Sequence, residues 1–264
     1  MKYFVVIVAF LASSIWAKEP SVLLYNITKG QVEYNKNVDE VRAIASVTKL
    51  MTAMVTLDHD KDLAKRLPLS RRVHSNLPQS SYTRMDLLRA MLVRSDNAAA
   101  ETLAADYPGG RDAFIAQMNL QAQTWGMTHT KFEDPTGLGS QNLSTALEVK
   151  EMLNHANSYW LIRDTSTKKQ AEFETLYKKK IKTISLPNTN QPLLFTFDSI
   201  VVSKTGFTSS AGWCVGLVVE QKQTQYVVVV LGAKNKADRI AKVKDVMYNH
   251  MLDTNLFRSD FSTN

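Results

Sequence analysis

The sequence predicts an α/β fold in which strands near both ends of the chain build one sheet around a mostly helical insertion. Runs rich in valine and tyrosine, with turn residues between them, lie near residues 21–34 and 200–231. Between them, apolar residues recur at helical spacing up to about residue 163, punctuated by Pro and Gly. An amphipathic pattern over residues 238–252 closes the chain as a helix.

Taken in order, Ser21-Val22-Leu23-Leu24-Tyr25 and Gln31-Val32-Glu33-Tyr34 flank a turn at Lys29-Gly30 and read as a β-hairpin. Val47, Leu50, Met51, Met54 and Val55 then mark a core helix that opens near Ser46 and runs to about Leu57. Residues 67–78 are irregular and proline-bearing. Helices follow at 85–92, 97–105 and 111–123, the last just after the Pro108-Gly109-Gly110 break. Pro135-Thr136-Gly137-Leu138-Gly139 is a loop, and Ser144 caps a helix that runs through Glu148 to about His155. After a polar stretch, residues 193–197 and 200–203 read as extended. Residues 213–219 and 226–231, joined by a polar connection, form a second hairpin. No internal repeat, heptad array or low-complexity segment interrupts this order.

Residues 1–17 read as a secretory signal peptide. Lys2 supplies the positive start, residues 3–12 are an unbroken apolar run, and Ala17 is a small residue for cleavage before Lys18. The run is too short to span a bilayer, which takes ~20 residues, so no stable membrane anchor is expected after cleavage. No cysteine follows it to carry a lipid. The only cysteine, Cys214, leaves the chain without an internal disulfide, so core burial must stabilise it; Cys214 reads as a small packed side chain. A chain of 264 residues with 44% hydrophobic content can bury a sizeable core. The net charge of +7 is diffuse except at Lys178-Lys179-Lys180-Ile181-Lys182, which reads as a solvated face. That run lacks the interleaved aromatics of a single-strand nucleic-acid surface, so no nucleic-acid partner is expected. The histidines show no metal-ligand spacing, and no glycine loop is built to hold phosphate.

The chemistry lies in three short motifs. Ser46-Val47-Thr48-Lys49 puts a hydroxyl and an amine three residues apart, hence on one helix face. A serine becomes a nucleophile when a neighbouring base takes its proton, and a buried lysine can be that base. By itself the stretch is better explained by a capping serine and a solvated lysine, and a second Ser-x-x-Lys at Ser166 shows how common the pattern is. Order separates the two. Ser46 is followed by Ser95-Asp96-Asn97 between two helical patterns and by Lys204-Thr205-Gly206 at the end of an extended run; Ser166 lies beyond the second motif. Ser140-Gln141-Asn142 is a decoy, because no helix starts directly after it. Ser95 can relay a proton, the Asn97 amide can bind a substrate amide, and Lys204 can hold an anionic end while lowering the Lys49 pKa. Thr205 adds a hydroxyl, and Gly206 lets a substrate backbone lie close to the strand.

With these three motifs in this order, the chain resembles the low-molecular-mass penicillin-binding proteins, which are serine D-Ala-D-Ala peptidases, and within them the D-alanyl-D-alanine endopeptidases of the penicillin-binding protein 7 type. The likeness extends to Tyr107-Pro108-Gly109-Gly110, Gly126-Met127-Thr128-His129-Thr130, Pro135-Thr136-Gly137-Leu138, Asn188-Thr189-Asn190 and Lys204-Thr205-Gly206-Phe207-Thr208. The resemblance implies a transpeptidase/β-lactamase-like fold with a five-stranded antiparallel sheet flanked by helices. It implies one catalytic domain over residues 18–264, with 18–62 and 164–264 as its α/β part and 63–163 as its helical part. It implies Ser46 as the acylated nucleophile, Lys49 as its base and Ser95 as proton relay, with Asn97, Lys204, Thr205, Gly206 and Phe207 on the substrate. The oxyanion hole would be the amides of Ser46 and Phe207. The implied substrate is a D-Ala–diaminopimelate cross-bridge of peptidoglycan in the periplasm, β-lactams are implied as acylating inhibitors, and no cofactor is implied.

A β-lactamase would share the trio but needs a carboxylate to activate the deacylating water, and the Glu-x-x-Leu-Asn loop that supplies it is absent. Glu133 lies in the corresponding region and reads as a surface carboxylate beside a turn. A D-Ala-D-Ala carboxypeptidase is the nearer rival. That branch usually carries a β-rich second domain, and here one hairpin and one helix use most of the residues after Gly206, which is the basis for expecting the shorter endopeptidase type. His129 reads as a packed or turn-stabilising histidine.

Overall fold

The computed structural model describes residues 19–177 and 180–251. The expected signal peptide therefore lies outside the described residues, as do Lys178 and Lys179 of the basic run. Among the described residues no helix is long and apolar enough to cross a membrane.

The chain opens with β1 (Ser21–Asn26) and β2 (Gln31–Lys36), and Gly30 takes the positive φ that their turn requires. β3 (Arg42–Ala43) leads into a 3-10 turn (Ala45–Thr48) and then α1 (Lys49–His59). The helix thus starts three residues later than the sequence suggested. Ala45 sits at a positive φ of 46°, and neither turn nor helix has a side-chain cap, so the Ser46 hydroxyl is not spent on the helix end. The stretch 67–78, expected to be irregular, is flanked by one short antiparallel pair, β4 (Arg66–Pro68) with β5 (Ser81–Thr83).

The helices come next: α2 (Arg84–Val93), α3 (Asn97–Ala105) and α4 (Gly110–Thr124). Thr83 and Asp96 cap the first two by accepting from the Asp86 and Ala99 amides. β6 (Leu143–Ser144) pairs with β3 and precedes α5 (Ala146–Asn157). Here the sequence reading is corrected: Thr145, not Ser144, caps α5, its hydroxyl accepting from the Glu148 amide at 3.1 Å. Ser144 is held one residue earlier by pairing with Arg42 and by a hydroxyl contact with Thr130.

After α6 (Trp160–Ser166), the polar stretch left unassigned by the sequence forms a hairpin, β7 (Gln170–Tyr177) with β8 (Lys180–Pro187). Its signal is alternation, with Ala171 and Phe173 buried and Glu172 and Glu174 exposed, hidden by high polarity. The extended reading of 193–197 is overturned. α7 (Gln191–Thr196) occupies it, started by Pro192 in its first turn and burying the adjacent Leu193 and Leu194 on one side. β9 (Ile200–Thr208) runs on through the Lys-Thr-Gly motif, followed by β10 (Gly212–Gln221), β11 (Thr224–Ala233) and α8 (Lys236–Val246). α8 ends sooner than expected, in a π-helical turn over Met247–Met251, and Leu252 lies outside the described residues.

The main sheet has five antiparallel strands in the order β2-β1-β11-β10-β9. β11 explains its unbroken valine run. Val228 and Val230 pack towards α7 and α8 with Leu193, Val243 and Val246, while Val227, Val229 and Leu231 join the larger core around α1 and α5. In that larger core α1 is buried from Lys49 to Leu57, closed in by α2, α3, α4 and α5. The 3-10 turn before it, Ala45–Thr48, reaches the edge strand β9, and the candidate residues meet at that contact.

Candidate active site

Lys49 is fully buried at the start of α1, and its amine has three oxygen neighbours. It lies 2.9 Å from Ser46 Oγ and 2.7 Å from Asn97 Oδ1, and it donates to the Thr136 carbonyl. Burial pushes this amine down to about 7, against the opposing pull of the Asp134, Asp96 and Glu101 carboxylates. A neutral lysine has two N–H bonds and one lone pair. The Thr136 carbonyl and the Asn97 amide oxygen are acceptors only and take both hydrogens. The lone pair is left facing the one neighbour that can donate, the Ser46 hydroxyl.

Ser95 joins α2 to α3 at a positive φ of 64°, an uncommon conformation for a residue with a Cβ. Asp96 fixes it: one carboxylate oxygen caps α3 while the other accepts from Ser75 Oγ at 2.9 Å and the Asn76 amide at 2.6 Å. The Ser95 hydroxyl then accepts from Lys204 Nζ at 2.9 Å. Lys204 is buried on β9 and also donates to the Thr205 carbonyl. Burial, with Lys49 and Arg239 as neighbouring cations, pushes its amine well below the ordinary lysine value. Thr205 donates its hydroxyl to that of Thr189 at 2.6 Å. Gly206 is required by space alone. A Cβ there would stand 2.8 Å from the Ser46 nitrogen and 3.0 Å from the Ile44 carbonyl oxygen, so only glycine lets β9 lie against the Ser46 amide. Ser46, Ser95, Asn97, Thr205, Gly206 and Phe207 open together onto one cleft of about 670 Å³.

Comparison with known proteins identifies the arrangement. Residues 11–235 match the peptidase S11 family, described as D-alanyl-D-alanine carboxypeptidase. The chain belongs to this family of serine peptidases. A D-alanyl-D-alanine endopeptidase of Pseudomonas aeruginosa is 36% identical over 84% of this chain and 73% of its own length. One from Escherichia coli is 33% identical over 97% of this chain and 83% of its own. Other relatives, named carboxypeptidases, are 25–29% identical. Among solved structures, penicillin-binding protein D2 of Listeria monocytogenes in its ampicillin-bound form superposes with a TM-score of 0.77. It is 27% identical, over 88% of this chain and 97% of that one. The fold is that of the penicillin-binding peptidases.

In this peptidase the sequence-nominated residues converge, with Lys49 and Lys204 beneath the cleft surface rather than along it. What the sequence reading missed is equally concrete. Arg239 of α8 lines the cleft; its Nη1 reaches the Cys214 carbonyl at 3.5 Å, while its buried Nε and Nη2 have no partner among the described residues. Burial pushes this guanidinium down to about 10. It lies 5.7 Å from the Trp213 ring, which in turn packs on Phe207 with centroids 4.5 Å apart. Arg239 stands 35 residues after Lys204 on a helix that reads simply as amphipathic, so no local pattern marks it.

The residues set aside by the sequence reading have structural surroundings. Cys214 is fully buried, with its thiol pushed by burial up to about 11. His129 Nδ1 lies 2.9 Å from Glu148 Oε1 at the start of α5, bracing a turn. Ser166 is buried and accepts from the Ser203 amide at 3.1 Å. Exposed Glu133 accepts from the Gln141 amide at 3.0 Å in its own loop.

Proposed function

We propose that this peptidase is an exported D-alanyl-D-alanine endopeptidase that hydrolyses D-Ala–diaminopimelate cross-bridges of peptidoglycan through an acyl-enzyme on Ser46. The observation that carries the reading is the Lys49 amine, whose other two neighbours leave its lone pair to the Ser46 hydroxyl. Lys49 takes the hydroxyl proton as Ser46 Oγ attacks the D-Ala carbonyl. The developing oxyanion sits between the backbone N–H groups of Ser46 and Phe207, which the glycine at 206 allows to approach each other. As the C–N bond breaks, the proton that Lys49 took passes by way of the Ser95 hydroxyl, itself held by the Lys204 amine, to the leaving amine, which returns Lys49 to its neutral form. Water then attacks the ester, Lys49 takes its proton and passes it to Ser46 Oγ as the acyl C–O bond breaks, and the D-Ala carboxylic acid is released with the Ser46 hydroxyl and the neutral amine restored.

Arg239 fits the carboxylate that lies beside the scissile amide on the leaving side. It is cationic, opens onto the cleft and has two donor nitrogens free among the described residues. Asn97 lines the same cleft and is suited to the substrate's amide backbone. The endopeptidase preference is supported by the names of the relatives at 30% identity or more. Export is supported by the signal-like residues 1–17, and β-lactams are proposed to acylate Ser46 as cyclic mimics of the substrate.

Two measurements test this. A fluorescent penicillin should label the wild type and leave Ser46→Ala unlabelled. Cross-linked dimeric muropeptides should be split into monomers, as read by mass. An unlabelled wild type would overturn the acyl-enzyme, and loss of one D-Ala alone would overturn the endopeptidase in favour of a carboxypeptidase.

A further inference from the structure

The loop 134–142 is fastened to the nucleophile segment at several points. The Thr136 carbonyl accepts from Lys49 Nζ, the Pro135 carbonyl from Thr52 Oγ1 at 2.7 Å, and the Asn142 carbonyl from the Ile44 amide at 3.0 Å. Gly137 lies where a Cβ would come within 1.9 Å of the Ala45 carbonyl oxygen. No helix or strand runs through these residues, so something else must hold the loop in shape.

A buried carboxylate does so. Asp134 Oδ1 accepts from the Thr136 amide and hydroxyl, each at 2.6 Å, and from the Gly137 amide at 2.7 Å. Its Oδ2 accepts from the Gly139 amide at 2.8 Å and from Asn142 Nδ2 at 2.9 Å. Asn142 Oδ1 in turn accepts from the amides of Glu133 and Asp134. A carboxylate offers about four lone-pair positions, so these bonds saturate Asp134 and leave it no role on substrate. Burial opposes its ionisation, and the bonds from Thr136, Gly139 and Gly137 outweigh that, holding the carboxyl below its usual range.

We propose that Asp134 is the positioning residue that holds the Lys49 amine on the Ser46 hydroxyl, acting through the Thr136 carbonyl and the folded loop. The proposal rests on reading Ser46 and Lys49 as nucleophile and base. Besides geometry, Asp134 contributes charge. The carboxylates facing Lys49 are Asp134 from the loop, Asp96 at the cap of α3 and Glu101 within it, with the Lys204 amine on β9 as the neighbouring cation. Of the three carboxylates, Asp134 pulls hardest towards the protonated amine. Without its charge the amine stays neutral to lower pH. Without its brace the amine loses register with Ser46.

Asp134→Asn and Asn142→Ala separate these effects, since only the first removes the charge. The readouts are the pH dependence of acylation by a fluorescent penicillin and the NMR titration of ¹³C-labelled lysine, with the Lys49 signal assigned by its loss in Lys49→Arg. In Asp134→Asn, the acidic limb and the Lys49 titration should both move lower by about one pH unit. In Asn142→Ala the plateau rate should fall about tenfold or more at an unmoved midpoint. A wild-type midpoint in Asp134→Asn, or a wild-type plateau in Asn142→Ala, overturns the proposal. Should Asp134→Asn fail to fold by circular dichroism, the plateau of Asn142→Ala decides. If no form is acylated yet the Lys49 titration moves in Asp134→Asn, the peptidase mechanism is wrong and the positioning stands.

Discussion

Lys49→Met should make the protein more stable and leave it unable to be acylated. Methionine has nearly the volume of the lysine stem and carries no amine to desolvate. The buried amine is pushed from 10.5 down to about 7, a gap equivalent to about 5 kcal/mol of lost stability at low pH. The folded value is the lower one, so the unfolded chain binds more protons between pH 7 and 10.5. Stability therefore rises with pH across that window, and the cost is full below about pH 7. Against the gain stands the buried Thr136 carbonyl, which loses its donor at a cost of about 1–3 kcal/mol. Ser46 and Asn97 open onto the cleft, where water can replace the amine. The net gain is about 2–4 kcal/mol near pH 6, or roughly 5–15 °C in melting temperature. Near pH 9 the wild-type cost has fallen to about 2 kcal/mol, so the advantage should nearly vanish. Calorimetric melts of both proteins at the two pH values read this directly. A variant that is less stable near pH 6, or an advantage that does not shrink with pH, would refute the reasoning.

Acylation of the wild type should follow an acidic limb with a midpoint near pH 7, set by the Lys49 amine, and a stopped-flow pH profile measures it. Gly206→Ala should slow acylation about 10- to 100-fold, because its Cβ forces β9 away from the Ser46 amide; a labelling time course reads the loss. Arg239→Met should lower kcat/KM on the order of 10²-fold for peptides with a carboxylate beside the scissile amide. It should also erase the preference for a free C-terminal carboxylate over its amide, in an assay of both peptides.

The trio Ser46, Ser95 and Lys204 was legible because each lies in a short motif whose order is diagnostic, and because α1 and β9 carry strong local patterns. The boundary at Ser46 was not. Periodicity marks a helix from Val47 onward, while the positive φ at Ala45 is imposed by packing against Gly137 and Gly206, residues far away in sequence. The hairpin β7–β8 was masked by polar residues on its exposed face, and α7 by two adjacent leucines that suit a strand as well as one helical turn. Arg239 and Asp134 were missed for a common reason. Their importance lies in what surrounds them, a guanidinium with two nitrogens unpartnered among the described residues in one case and a saturated carboxylate in the other, and neither state leaves a mark on the flanking residues.

The pairing of β1 with β11 sets an order of events during synthesis. Ser21 finds its partner only when Leu231 has been made, so the sheet cannot close on a growing chain. The helices from α1 to α6 can collapse early on local contacts, but β9 enters the sheet only through β10 and β11. A nascent chain therefore carries Ser46 for most of its synthesis without the β9 wall that completes the cleft. Reactivity towards acylating agents should switch on late and all at once, when the last strand docks.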